Sequence, residues 1–212
     1  MKKVLFISLA LISGLVFGQD EKAKAILDKV SAKTQAYKTI KVKFKITITP
    51  AEGEAVTNSG TAQMKGDKYL VQLDEQDIYC DGKIITTHLK EEDECYTSDM
   101  EEVSEDGMVS PNEMLTIWEE GYKYKYVKET SVDGTPAHQI HLYPKDAGKS
   151  KFHTIILKID KAKNEVITVL IKAKDGSKMK YTLVSLESDF DIPDSTFEFD
   201  RSKHPEVECY EE

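Results

Sequence analysis

The feature that most constrains this chain is a change of period at Thr39. From there to Thr49, Val42, Phe44, Ile46 and Ile48 alternate with Lys41, Lys43, Lys45 and Thr47. Successive side chains of a strand point to opposite faces, so this stretch predicts a strand with one dry and one wet face. Similar runs follow at 60–65, 69–74, 77–80, 84–89 and 94–98, then at 122–128, 137–143, 152–159, 165–173 and 178–188, with a last short one at 196–199. Turn chemistry separates them: Gly66-Asp67, Asp81-Gly82, Asp133-Gly134, Lys163-Asn164 and Asp175-Gly176, of which Asp-Gly is the most specific hairpin signal. About ten or eleven strands joined mostly by hairpin-length turns imply a long, twisted antiparallel meander, mostly β in an α+β class. Its curled apolar face must be covered. No strand–helix alternation, internal repeat or low-complexity linker divides the chain.

Two segments have helical spacing. In 22–37, Ile26, Leu27, Val30, Thr34 and Tyr37 fall on one side and Lys24, Asp28, Lys29 and Lys33 on the other, with Asp20 placed as an N-cap. Ser110-Pro111 starts a short second helix with Met114, Leu115, Ile117 and Trp118 on its buried side, ended by Gly121. Between the strand run at 94–98 and that helix, 99–109 reads as an acidic loop.

The first eighteen residues stand apart. Lys2 and Lys3 precede an almost unbroken apolar run from Val4 to Phe17, followed by Gly18 and polar Gln19-Asp20. A basic start and an apolar core too short to span a bilayer comfortably predict a cleaved secretory signal at 1–18. Residues 19–212 are then expected to form one domain, exported to the periplasm and free in solution, since no Cys follows the apolar run to take a lipid. The net charge of −9, more acidic still without Lys2 and Lys3, excludes nucleic acid as a partner class, because that affinity rests on neutralising phosphates. It also argues against constant residence on an anionic surface. Cys80, Cys95 and Cys209 allow one disulfide and one free thiol, with the pairing open.

A search for catalysis selects no reaction and no cofactor. His138 and His141 lie three apart on a strand and point to opposite faces, so they cannot share a metal. There is no HExxH, no Gly-x-Ser-x-Gly elbow and no phosphate-binding glycine loop. Asp189, Asp191 and Asp194 lack the glycine and distal Glu of a calcium loop. A thiol enzyme built on Cys80 or Cys95 is the weakest of the readings, and the chain is expected not to be an enzyme.

Apolar surface remains. Phe44, Ile46, Ile48, Met64, Tyr69, Val71 and Ile78 lie on early strands, and Met114, Leu115 and Trp118 on the helix expected to cover them. Either these side chains fill a core, or two short helices leave an apolar cavity that they line. Met64, Met108 and Met114 near such a lid would suit varied ligands.

The order of motifs then resembles a known family. Ala25-Ile26-Leu27-Asp28-Lys29-Val30-Ser31 is followed by Tyr37-Lys38-Thr39-Ile40, a Phe-bearing strand, Met64-Lys65-Gly66-Asp67-Lys68-Tyr69 and Cys80-Asp81-Gly82-Lys83. Later come Leu142-Tyr143-Pro144-Lys145-Asp146, the run 152–159 and Ile192-Pro193-Asp194-Ser195-Thr196-Phe197. Together they are similar to the periplasmic outer-membrane lipoprotein carriers (LolA-like), in particular a Bacteroidetes-type branch. The resemblance implies an incomplete, strongly curved antiparallel β-barrel of about eleven strands with helices over an apolar concave face. It implies a carrier that takes acylated lipoproteins from an inner-membrane lipoprotein-releasing ABC transporter to an outer-membrane acceptor. Well-studied members carry an Arg-Pro latch after the second strand. Here that place reads Gly66-Asp67, and the chain's one arginine is Arg201. A different class, a β-rich sensor or adaptor of the envelope that binds lipid or protein, fits the same pattern.

Overall fold

The computed structural model describes residues 14–105 and 110–211, and the lead segment read as a secretory signal lies mostly outside them, as does Met108. Helix α1 (Gly14–Ala36) leads into β1 (Ile40–Thr49), β2 (Val56–Lys65), β3 (Lys68–Leu73), β4 (Gln76–Cys80), β5 (Ile84–Leu89) and β6 (Glu94–Asp99). Two short helices, α2 (Met100–Glu105) and α3 (Pro111–Met114), precede β7 (Tyr122–Val132), β8 (Thr135–Pro144), β9 (Phe152–Asp160), β10 (Val166–Ala173) and β11 (Lys178–Ser188). After two 3-10 turns, β12 (Glu208–Glu211) ends the described chain.

Hairpin turns form where their chemistry predicts. Asp133 (φ 47°) and Gly134 (φ 85°) both take the left-handed conformation that a tight primed turn between β7 and β8 requires. Asn164, with φ 53°, makes the β9–β10 turn. The two meanders run in opposite directions and are joined where β11 returns to pair with β1, from Ile40 against Ser188 to Thr49 against Lys178.

The sheet is open, which corrects the expected strongly curved barrel. Its twelve strands run β12-β6-β5-β4-β3-β2-β1-β11-β10-β9-β8-β7, and no pairing joins β12 to β7. Consecutive β6 and β7 therefore sit towards opposite ends of the sheet. Closure would bring β7 against β6, but β12 occupies that edge. The sheet is also mixed, since β12 runs parallel to β6 with Cys209 opposite Cys95. A disulfide joins these two cysteines, and Cys80 is free and buried.

Other boundaries moved for local reasons. Helix α1 starts at Gly14, so Asp20 lies within it and is not its N-cap. Strand β2 starts at Val56, four residues before the expected run at 60–65, because Ile48 on β1 offers it a partner. Half of the expected acidic loop is α2, opened by Asp99, whose carboxylate accepts from the Glu101 N–H at 2.8 Å. The short strand expected at 196–199 is replaced by a 3-10 turn, Asp194–Phe197, that buries Phe197 completely.

Cover is unequal across the apolar face. Ala23, Ile26, Leu27 and Val30 of α1 pack on Tyr126, Ile140, Leu142, Ile155 and Leu157, filling the space over β7–β10. The Lys33 ammonium meets Glu165 at 2.7 Å and the Lys163 carbonyl at 2.8 Å, which ties the end of α1 to the β9–β10 turn. Over β1–β5 the second cluster, including Val42, Ala62, Met64, Tyr69 and Ile85, has among the described residues Tyr37, Leu115 and the short helices packed on it.

The C-terminal segment straps the opposite face. Asp194 binds Lys65 at 2.7 Å and Lys68 at 2.9 Å, and these ammonium groups hold its carboxyl at about 2. Farther on, His88 of β5 packs against Phe199 and His204, with ring centroids 5.0 and 5.1 Å away. His88 Nδ1 is buried without a hydrogen-bond partner among the described residues. Burial, then repulsion from His204, pushes its pKa below the usual 6.5, while Asp77 pulls the other way. The unfolded chain takes up this proton below about pH 6.5 and the folded chain resists, so stability is full above that pH and falls as pH drops toward the folded pKa. His138 and His141 shift in the same direction. The melting temperature is accordingly expected to fall between pH 7.5 and pH 5, and His88→Phe to shrink that fall. A pH profile unchanged by His88→Phe would remove His88 from the account.

Candidate functional site

The uneven cover leaves an apolar cavity of about 490 Å³ between the sheet and α2–α3. Its floor is the face of β1–β3 that carries Val42, Ala62, Met64, Tyr69 and Val71, because register places these side chains across from one another: Val42 opposite Ala62, Ala62 opposite Val71, Met64 opposite Tyr69. Ile78 and Ile85 extend it along β4 and β5. Tyr181, Leu183 and Val169 form the wall toward the filled half. Met100, Met114 and Leu115 come down from the helices.

Phe44 stands at a break in regularity. The β1–β11 register shifts between Lys43 and Phe44, and on the other side Phe44 faces Gly60. A Cβ at Gly60 would come within 2.8 Å of Phe44 Cζ and 2.7 Å of the Gln72 carbonyl oxygen. The missing side chain is what lets the Phe44 ring lie over β2 at the cavity wall.

The chemistry of the lining is uniform. Among the described residues no lining side chain carries a charge, and Tyr69, Gln76, Thr87, Ser110 and Tyr181 supply the polar groups. Burial pushes the Tyr181 phenol up, and its hydroxyl lies 2.7 Å from the Met179 sulfur. Such a surface attracts apolar matter by burial and dispersion without a fixed charge to orient a reaction. Three methionines (64, 100 and 114) give walls that repack easily.

The lid is fastened at one end. The Asn112 side-chain amide donates to the Gly66 carbonyl at 2.7 Å, and the Met100 N–H donates to the Lys83 carbonyl at 2.8 Å. The first of these contacts lies at Gly66-Asp67, the place of the Arg-Pro latch in the resembled family.

Of the residues expected to line such a cavity, Phe44, Ile46, Met64, Tyr69, Val71, Ile78, Met114 and Leu115 do so. Two do not. Ile48, 45% exposed, sits beyond the cavity next to Val56. Trp118 is buried in the filled half, with its indole N–H donating to Ser31 at 2.9 Å. It serves to dock the 115–118 segment on α1. Reasoning from the sequence missed Ala62, Thr87, Met100 and the far wall, Val169, Tyr181 and Leu183. The wall was hidden because β11 pairs with β1 only through the long return of the chain.

Reactive groups are engaged elsewhere. Burial pushes the Cys80 thiol up and Cys95 is in the disulfide, so neither is a ready thiolate. Among the described residues no group of three or more His, Cys, Asp or Glu side chains is placed to hold a metal ion. Asp189 accepts from the Lys38 N–H and Asp194 is taken by two lysines. No described helix is long and apolar enough to cross a membrane.

No protein-family model matches the chain, and no curated protein matches it in sequence. Its fold is similar to solved structures. An uncharacterized conserved protein from Thermus thermophilus superposes with a TM-score of 0.59 at 9% identity, over 90% of this chain and 99% of that one. A DUF1329 family protein from Desulfovibrio piger gives 0.51 at 12% identity, over 85% and 97%. A putative outer membrane lipoprotein-sorting protein domain from Vibrio parahaemolyticus gives 0.49 at 11% identity, over 87% and 99%. At 9% and 12% identity the first two show a likeness of fold.

Proposed function

We propose that this protein is a non-catalytic carrier of the cell envelope that shelters an acyl chain in the cavity over β1–β5. The observation that carries the reading is an uncharged apolar cavity left open by a sheet whose other half is fully packed. The apolar lead segment after Lys2-Lys3 and the LolA-like order of motifs support a periplasmic setting and a Bacteroidetes-type carrier. Its cargo is then an acylated lipoprotein, received from an inner-membrane releasing transporter and delivered to an outer-membrane acceptor.

Physical chemistry gives such a carrier its purpose. Each methylene kept from water is worth about 0.8 kcal/mol, so a sixteen-carbon chain represents about 12 kcal/mol of exposure. A cavity of about 490 Å³ falls in the range of small-molecule sites, about 300–1,000 Å³. Methionine walls without a charged anchor keep affinity moderate, which suits release. The lipid content of the protein isolated from its own envelope tests the reading: acylated species bound one per chain support it, and an empty cavity counts against it.

A further inference from the structure

The face opposite the cavity has a charge that the whole chain does not. Register and strand alternation put Lys41, Lys43 and Lys45 of β1 beside Lys178 and Lys180 of β11 on that face. The same surface continues through Lys172 of β10 and Lys158 of β9 to Lys123, Lys125 and Lys128 of β7. At the acidic positions of these strands on this face stand Glu187, opposite Lys41, and Asp160, whose carboxylate is turned inward to accept from the Ala162 and Lys163 N–H groups. None of the lysines forms an ion pair with a described residue, whereas Lys24 and Lys161 do, and so do Lys65 and Lys68, which lie farther along the sheet beneath the C-terminal strap. His141, on the same face, is held below the usual histidine range by burial and then by Lys172 and Lys125. Meanwhile the chain carries −9 overall, with Glu91, Glu92, Asp93, Glu101 and Glu102 exposed around β6 at the other end of the sheet.

We propose that this lysine face is a docking surface for a bilayer containing anionic phospholipid. Six neighbouring strands spaced about 4.8 Å apart spread the positive charge over a width of about 24 Å, a sheet of charge facing a sheet of charge. The cations are lysines, mobile point charges suited to a diffuse field, without the arginine forks that recognise single carboxylates or phosphates. The opposite signs at the two ends of the sheet orient the approach, turning the lysine face toward the membrane and the acidic end away. Each lysine near an anionic surface contributes about 1 kcal/mol, enough to hold an otherwise acidic protein reversibly. The inference does not depend on what fills the cavity.

Vesicle flotation of the full chain tests it, with vesicles of phosphatidylcholine alone and of phosphatidylcholine mixed with phosphatidylglycerol. The protein is expected to bind the anionic vesicles in preference and to leave them as salt rises from about 0.1 to about 1 M, where the screening length shrinks from about 10 to about 3 Å. The triple variant K43Q/K45Q/K180Q is expected to lose on the order of a hundredfold in partitioning. A second triple at the other end, K125Q/K158Q/K172Q, should lose a similar factor, and the pair K24Q/K29Q on α1, away from this face, should not. Equal binding to both vesicle types, which the apolar lead segment alone would produce, overturns the proposal. So does preferential binding untouched by both face variants, or binding to polyglutamate with none to anionic vesicles.

Discussion

Cys209→Ser is expected to lower the stability of the protein by about 4–5 kcal/mol. The disulfide links residues separated by 114 positions, so it closes a long loop in the unfolded chain, and the entropic cost that it removes grows with the logarithm of loop length. In a chain of this size such a loss corresponds to a fall in melting temperature of about 10–15 °C. It also acts on the fold locally. Strand β12 has four residues and holds β6 only through Glu208–Glu211 and the disulfide, so without the bond the tail can peel back from the sheet edge. The wild-type protein melted under reductant should match Cys209→Ser melted without it. Identical melting of wild type and variant under oxidising conditions would show that the tail is held by other means.

The second large effect is on binding. Ala62→Phe is expected to weaken the uptake of a sixteen-carbon fatty-acid probe at least tenfold with little change in melting temperature. Ala62 is 2% exposed at the centre of the cavity floor, between Val42 on one neighbouring strand and Val71 on the other. A phenyl ring there takes space that the acyl chain needs. Large side chains usually cost about 1–3 kcal/mol when forced into a packed core, but here the ring enters space that is already empty. Tenfold is about 1.4 kcal/mol, less than two methylenes of burial. Titration with the probe, beside thermal melts of both proteins, checks it; unchanged affinity would place the ligand somewhere other than this cavity.

Much of this architecture was legible in the residues. Strands β5 and β11 match their expected bounds, and the Asp-Gly pairs mark hairpins, because alternation and turn chemistry are local and strong. The early-strand half of the cavity was readable for the same reason: Phe44, Ile46, Met64, Tyr69, Val71 and Ile78 share one face by parity alone. What was not readable depends on contacts distant in sequence. Strand β12, beyond the last run expected at 196–199, has no alternating apolar pattern and exists through its pairing with β6 and the bond to Cys95. That same tail adds a twelfth strand beyond β6, at one edge of an open sheet where an incomplete, strongly curved barrel of about eleven strands was expected. Trp118 had the right composition for a cavity wall, but its indole N–H found Ser31 on α1, and helical spacing cannot say which half of a sheet a turn will cover.

The proposed role of the space over β1–β5 is that of a container for an acyl chain. Native mass spectrometry of the protein purified from its own cell envelope, followed by solvent extraction and analysis of the released lipid, tests it most directly. The expected result is one acylated ligand per protein, with a smaller loaded fraction in Ala62→Phe prepared in the same way. Protein that arrives empty, or that carries a protein partner and no lipid after delipidation, would contradict the container and favour an envelope sensor or adaptor.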